Sequence, residues 1–172
     1  MFIADSQYYI RGEVFGVLER RAGSNGLVDS VSRGGLADPG DFAIVRTGTE
    51  TGGLLLTVDV RDAVPEPPDL DAWEEIVEVS LTLPGECPGV LTAGDEDEDA
   101  EASRLPDFTF AQPGPFRVRV HARGRDEGDR LQIVEEDEEP VEEHYILVWS
   151  APVGPSVAHK WTDTYGERIR SR

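Results

Sequence analysis

The sequence offers few residues that could serve as catalytic nucleophiles. A nucleophilic serine or cysteine is usually held on a tight glycine turn beside a base and an orienting acid. The segments GSNG (23–26) and SRGG (32–35) are typical of loops, and Cys87 is the only cysteine. The segment GTETGG (48–53) lacks the lysine and the helix of a phosphate-binding loop and indicates a hairpin turn. We therefore expect no catalytic residue, no cofactor and no enzymatic activity.

Histidines and carboxylates are the other groups that could do chemistry. The sequence contains three histidines that are far apart and show no metal-binding spacing: His121, His144 and His159. The first two would meet only if their strands are neighbours. The run DEDED (95–99) resembles the start of a calcium loop, but Pro106 stands where the final carboxylate is needed. The sequence predicts no metal site, with a histidine pair and weak calcium binding left open.

Acidic side chains are concentrated in two short runs. The chain has 35 Asp and Glu against 16 Lys and Arg, which gives a net charge of −19. This excess argues against direct binding to nucleic acids or anionic membranes, because both depend on cations in the protein. It favours a basic protein partner. The candidate partner-binding residues are the two acidic runs: Asp95, Glu96, Asp97, Glu98, Asp99, Glu135, Glu136, Asp137, Glu138 and Glu139.

A ladder of basic residues lies in the segment GPFRVRVHARGRD (114–126). Apolar and basic residues alternate there, so the three arginines Arg117, Arg119 and Arg123 share one face of a predicted strand. We expect that face to be solvated and the arginines to pair across the sheet with Glu78, Glu142 or neighbouring acids. The alternative is that the ladder binds an anion or an acidic patch of a partner.

Apolar residues recur with a period of two between frequent glycines and prolines. Clear examples are EEIVEVSLTL (74–83), GLLLTVDV (53–60) and HYILVW (144–149), where Tyr145, Leu147 and Trp149 are expected to share the apolar face. Eight to ten short strands of this kind predict an all-β fold, an antiparallel β-sandwich.

The predicted domain organisation is simple. Residues 1–150 form a single sandwich domain with acidic loop insertions near 94–103 and 126–143, and residues 151–172 form a tail that contains Pro and Gly. A short helical turn is expected in PPDLDAWEEI (67–76). No apolar run approaches the ~20 residues that a bilayer requires, and the amino terminus lacks a leader pattern. We therefore expect a cytoplasmic protein.

Three segments, in this order, resemble the competence-nuclease inhibitor family of bacteria. They are the SQ within FIADSQYYI (2–10), the tryptophan-led AWEEIVEVSLTL (72–83) and the later PGPFRVRV (113–120). Members of that family are small acidic β-sandwich inhibitors of a DNA-entry nuclease, so the resemblance implies a protein partner and no catalysis. The chain differs from the family pattern by its two acidic loops and its arginine-rich strand. We carry over no inhibitory residue.

The leading hypothesis is a non-enzymatic binding protein, in its most specific form an immunity or inhibitor protein that occupies the basic groove of a nuclease. The alternative is a carbohydrate- or small-ligand-binding sandwich or barrel, with hydrolase activity if an isolated carboxylate lies in an aromatic cleft. The aromatic residues considered for such a sugar-stacking platform are Trp73, Trp149, Trp161, Tyr8 and Tyr9. A third hypothesis is self-association through a sheet edge.

Overall fold

Strands make up most of the structure. The computed structural model describes residues 1–10, 23–32, 35–36, 39–83, 90–92 and 114–172. Its strands form three open sheets, which confirms the prediction of an all-β, sandwich-like fold. Within these ranges no helix has both the length and the apolar character needed to cross a membrane.

The elements are numbered in chain order. The strands are β1 (Phe2–Ile3), β2 (Gln7–Ile10), β3 (Val28–Ser32), β4 (Gly35–Leu36), β5 (Phe42–Arg46), β6 (Thr51–Gly53), β7 (Leu55–Arg61), β8 (Glu75–Leu83), β9 (Val90–Thr92), β10 (Gly114–Arg123), β11 (Ile133–Val134), β12 (Glu143–Ser150) and β13 (Val157–Trp161). The helices are α1 (Arg125–Leu131) and α2 (Thr164–Arg170).

Two five-stranded sheets and one small sheet result from this order. The front sheet has the order β13-β8-β10-β12-β7, and the back sheet has the order β4-β3-β5-β2-β9. The small sheet has the order β1-β6-β11. Most neighbours are antiparallel, as predicted, but β7 pairs with β12 and β6 with β11 in parallel. Those two pairings depart from the purely antiparallel expectation.

The hydrophobic core is formed by one face of the front sheet and one face of the back sheet. On β10 the inward residues are those that the alternation predicted, so Val118 lies opposite Val79 of β8 and Val148 of β12. From the back sheet Tyr8 and Val45 join the same cluster. Burial of these apolar side chains is the main stabilising contribution.

Strand β12 presents the opposite face to the one expected. Ile146 and Val148 enter the core, whereas Tyr145, Leu147 and Trp149 lie on the outer face beside the basic residues of β10. All residues from 146 to 149 are apolar, so both alternations fit the sequence equally well. Pairing with β10 selects between them.

Helices appear where they were not expected. The segment 67–76 contains no helix; instead the backbone N–H of Asp71 donates to Asp69 Oδ1, and β8 starts at Glu75. Segment 126–143, predicted as an acidic loop, contains most of α1 and all of β11. Segment 151–172, predicted as a tail, contains β13, which pairs with β8, and α2. Residues 62–74 form the β7–β8 loop, and residues 151–156 form the β12–β13 loop.

Candidate functional site

Two of the three arginines of the ladder are buried, contrary to the expectation of a solvated face. Arg117 is 6% exposed and Arg119 is 5% exposed. Both bind one carboxylate: Arg117 Nε donates to Glu78 Oε1 at 2.8 Å, and Arg119 Nε donates to Glu78 Oε2 at 3.0 Å. The predicted pairing with Glu78 is therefore confirmed. Burial opposes ionisation of Glu78, but the hydrogen bonds from the two arginines and His159 outweigh it and lower its pKa.

Two loops bury the arginines. Arg119 Nη1 donates to the carbonyl of Glu66 in the β7–β8 loop at 3.0 Å, and Arg117 Nη1 donates to the carbonyl of Gly154 in the β12–β13 loop at 2.9 Å. The guanidinium of Arg119 also lies over the ring of Trp149, 5.2 Å from its centroid. These guanidinium groups are occupied by the protein itself, which leaves little surface for an anion or a partner.

Arg123 differs from the other two arginines because it lies at the exposed end of β10. Its Nε donates to Glu143 Oε2 at 2.9 Å, and half of its side chain is exposed. Glu142, which the sequence offered as another partner for the ladder, is buried and accepts instead from the backbone N–H groups of Gly48 and Thr49. Of the acids offered as partners, the ladder thus pairs with Glu78 and with Glu143, which neighbours Glu142, and not with Glu142 itself.

The histidines do not form a metal pair. His121 and His144 lie on the neighbouring strands β10 and β12, but His121 is opposite Tyr145 and His144 is opposite Ala122, so they point to opposite faces. Burial lowers the pKa of His121 to about 4. In the described ranges no three His, Cys, Asp or Glu side chains are grouped so as to hold a metal ion.

Sequence reasoning missed a buried hydrogen-bonded chain between the two large sheets. Tyr8 Oη lies 2.8 Å from His144 Nδ1, and His144 Nε2 lies 2.8 Å from Glu142 Oε1. An acid and an oriented histidine of this kind can act in catalysis when substrate reaches them. Here all three side chains are fully buried, so the chain joins β2 to β12. Burial raises the pKa of Tyr8, which keeps its hydroxyl protonated.

A second buried polar cluster attaches the carboxyl-terminal elements. Arg125 is fully buried and forms two hydrogen bonds to Asp163, at 2.6 Å and 2.8 Å, while Arg170 binds Glu75 at 3.0 Å. Burial and the nearby carboxylate of Asp163 raise the pKa of Glu75 to about 7. The sequence does signal this end of the chain, because Asp163 caps α2 by accepting from the N–H of Gly166.

The aromatic residues do not assemble into a sugar-stacking platform. Tyr8, Tyr9 and Trp149 are buried. Trp73 stacks on Tyr145 with ring centroids 6.1 Å apart. Trp161 is half-exposed, with the guanidinium of Arg170 over its ring.

The structure describes only one of the two acidic runs. Residues 95–99, like Cys87, lie outside the described residues. Residues 135–139 form an exposed turn between β11 and β12, which we call the acidic turn. Among the described residues its side chains form one hydrogen bond, which is internal, from the N–H of Glu135 to Glu138 Oε2 at 3.2 Å. Within the ranges that the structure describes, no Lys, Arg or His forms an ion pair with its carboxylates.

A polar depression of about 280 Å³ lies at the end of the small sheet where β6 and β11 begin. Asp5, Glu50 and Asp129 line it together with Ser6 and Gln132. Three of these residues, Asp5, Ser6 and Gln132, have positive φ angles of 60°, 55° and 66°, although none is glycine. Asp129 is paired with Arg168 at 2.6 Å. Asp5 and Glu50 are exposed and add negative charge at this end of the small sheet.

Comparison with protein-family models, with curated proteins and with solved structures finds no match for this chain.

Proposed function

We propose that this protein is a non-enzymatic binding protein that engages a basic surface of a protein partner through its carboxylate-rich loops. The observation that carries the proposal is the exposed acidic turn, whose carboxylates have no cationic partner among the described residues. Carboxylates that are not neutralised internally are available to an external cation.

Nearly all of the arginines in the described ranges are already engaged in ion pairs, which strengthens this argument. Ion pairs to carboxylates of the same chain are formed by Arg46, Arg61, Arg117, Arg119, Arg123, Arg125, Arg130, Arg168 and Arg170. The acidic turn therefore adds to an unbalanced negative potential. Such a potential accelerates association with a basic protein and disfavours acidic competitors.

The most specific form of the proposal is an inhibitor or immunity protein whose partner is a nuclease. A groove that binds nucleic-acid phosphates presents Arg and Lys at short spacing, and a row of carboxylates can occupy the same positions. The sequence resemblance to competence-nuclease inhibitors supports this partner class.

Partner capture as a function of salt tests the proposal. The purified protein is immobilised and exposed to a lysate of its source cell, and retained proteins are identified by mass spectrometry. We expect basic proteins to be retained at low ionic strength and released as salt rises, because exposed charges are screened beyond ~8–10 Å at physiological salt. Retention of no basic protein would contradict the proposal.

A matched pair of variants separates the acidic turn from net charge alone. The first combines Glu136→Gln, Asp137→Asn and Glu139→Gln. The second removes the same number of exposed charges from the β7–β8 loop through Asp62→Asn, Glu66→Gln and Asp71→Asn. We expect the first to lose most of the retained partner and the second to keep it. Equal losses would show that the partner responds to overall charge and not to the acidic turn.

A further inference from the structure

The outer face of the small sheet carries exposed apolar side chains. Phe2 of β1 is 48% exposed, and Ile133 of β11 is 57% exposed. Phe2 lies opposite Gly53, and Ile133 lies opposite Thr51. Residues 51 and 53 share a face of β6, so Phe2 and Ile133 lie on the same face, one on each side of the central strand.

The other face of the small sheet is directed into the protein. Ile3 and Val134 both lie opposite Gly52 of β6, one on each side of it. Both of these apolar side chains are buried. The exposure of Phe2 and Ile133 is therefore the result of strand alternation and not of a frayed end. Both belong to two-residue edge strands that are held by backbone pairing to β6.

Pro140 extends the apolar face to the acidic turn. A Cβ atom built on Gly53 would lie 3.0 Å from Pro140 Cγ, so the proline ring packs over that glycine on the outer face. Pro140 directly follows the acidic turn in the chain. We call Phe2, Ile133 and Pro140 the small-sheet strip.

Carboxylates flank the small-sheet strip at both ends. The acidic turn follows β11 at the end where Val134 lies opposite Gly52. At the other end the N–H of Ser6 donates to the carbonyl of Glu50 at 3.1 Å, which places Asp5 and Glu50 beside the start of β6. An apolar surface between two groups of carboxylates that no described cation neutralises matches a segment in which apolar side chains lie between basic ones.

We propose that the small-sheet strip receives apolar side chains from a basic segment of the protein partner, whose Lys and Arg side chains lie against the acidic turn and against Asp5 and Glu50. This inference rests on the proposed function. The two groups of carboxylates are separated by the three residues of β6, and an extended chain rises about 3.3 Å per residue. The cations of the partner segment should therefore be about three to five residues apart.

Two peptide probes of equal charge test the proposal. In the first, the unit Lys-Ser-Leu-Ser is repeated, so that lysine and leucine share one face of an extended chain and successive lysines are four residues apart; in the second, serine replaces each leucine. Binding of each labelled peptide to the full chain is measured by fluorescence anisotropy at low and at physiological salt. Burial of leucine against the small-sheet strip should make the first peptide bind about tenfold more tightly, and this advantage should persist as salt rises, because apolar burial is not screened.

Substitutions in the small-sheet strip should remove that advantage. The variant with Phe2→Ser and Ile133→Ser should bind both peptides equally, at the affinity of the serine peptide. The control with Val64→Ser and Val153→Ser, which changes apolar residues that are 73% and 49% exposed in the two loops, should retain the tenfold difference. Circular dichroism and thermal unfolding of both variants show whether the fold is intact.

The outcomes separate this proposal from the proposed function. Equal binding of the two peptides to the unmodified chain would overturn the role of the small-sheet strip and leave the acidic function standing. An equal loss in the control variant would also overturn it. Failure of both peptides to bind at low salt would contradict the proposed function itself, and this inference with it.

Discussion

Arg117, Arg119 and Glu78 are buried and paired on the outer face of the front sheet, whereas the carboxylates of the acidic turn are exposed and have no cationic partner among the described residues. Arg117 and Arg119 share the carboxylate of Glu78 beneath two loops. The acidic turn follows a two-residue strand, and no described cation pairs with it. Charge in the first region stabilises a particular arrangement of loops on a sheet, and charge in the second remains available for binding.

The covering of the front sheet explains the difference. Backbone carbonyls from the β7–β8 and β12–β13 loops accept from Arg117 and Arg119, so the loops are held in place by the same groups that they cover. Taking charges out of water is costly, and it is compensated only when the hydrogen bonds are nearly complete. That condition is met at Glu78 and does not arise in the acidic turn, where the carboxylates remain hydrated.

Replacing Glu78 should have the largest effect on stability. In the variant Glu78→Gln two buried guanidinium groups lose the carboxylate that compensates them. Removal of one partner from a buried ion pair typically costs about 3–5 kcal/mol. We expect a loss of that size in the free energy of unfolding, measured by urea denaturation, with the β7–β8 and β12–β13 loops becoming more accessible to hydrogen exchange.

Glu143→Gln is the matched control on the same sheet. Glu143 pairs with Arg123, whose side chain is half-exposed, and exposed ion pairs contribute only about 0.2–1 kcal/mol. The same chemical change should therefore destabilise the protein several-fold less. A loss at Glu78 no larger than the loss at Glu143 would contradict the role assigned to burial.

The alternation in segment 114–126 was enough to predict which residues of β10 face the core, and it also grouped Arg117 and Arg119 with Glu78. It was not enough to predict that these arginines are buried. Their burial depends on loops that come from elsewhere in the chain, and no local periodicity shows where a loop packs. On β12, where both faces are apolar, local pattern did not determine even the inward face.

Some parts of the candidate site could be predicted from the sequence and others could not, for a similar reason. The acidic turn is evident in the sequence because like charges in a row are normally hydrated. The Tyr8–His144–Glu142 chain is not evident, because Tyr8 and His144 are 136 positions apart. The small-sheet strip is also not evident, since its strands have two or three residues each and carry no readable alternation.

His121 should make the free energy of unfolding depend on pH. We expect this effect to be smaller than that of Glu78→Gln and larger than that of substitutions in the acidic turn. It packs between Trp73 and Tyr145, and burial lowers its pKa from 6.5 to about 4. Between these values the unfolded chain binds a proton that the folded protein does not, so stability falls as pH decreases. Relative to the unmodified protein, His121→Gln should therefore gain stability as pH falls from about 6.5 to 4.

The measured quantity must be the difference in unfolding free energy between His121→Gln and the unmodified protein, because Glu75 changes stability with pH in the direction opposite to His121. Its pKa is raised from 4.5 to about 7, so the folded protein binds the extra proton and stability falls as pH rises through that range. Glu75 is present in both proteins, and its contribution cancels in the difference. Unfolding free energies from urea titrations at several pH values provide the measurement. A difference that does not change with pH would contradict the buried, neutral state of His121.

The smallest effect on stability should come from the acidic turn. The variant with Glu136→Gln, Asp137→Asn and Glu139→Gln removes three negative charges from the turn. Yet these side chains are exposed, and surface substitutions of this kind usually change the free energy of unfolding by less than about 0.5 kcal/mol. Relief of repulsion within the turn makes a slight stabilisation the expected sign.

Thermal and urea unfolding of this triple variant and of Glu78→Gln compare the contributions of the two regions to the free energy of unfolding. Three charge changes in the acidic turn should leave stability almost unaltered and weaken partner retention, whereas one change at Glu78 should lower stability by several kcal/mol. A triple variant destabilised by more than about 1 kcal/mol would place the carboxylates of the acidic turn among the groups that hold the fold together, because exposed charges without partners contribute less than that.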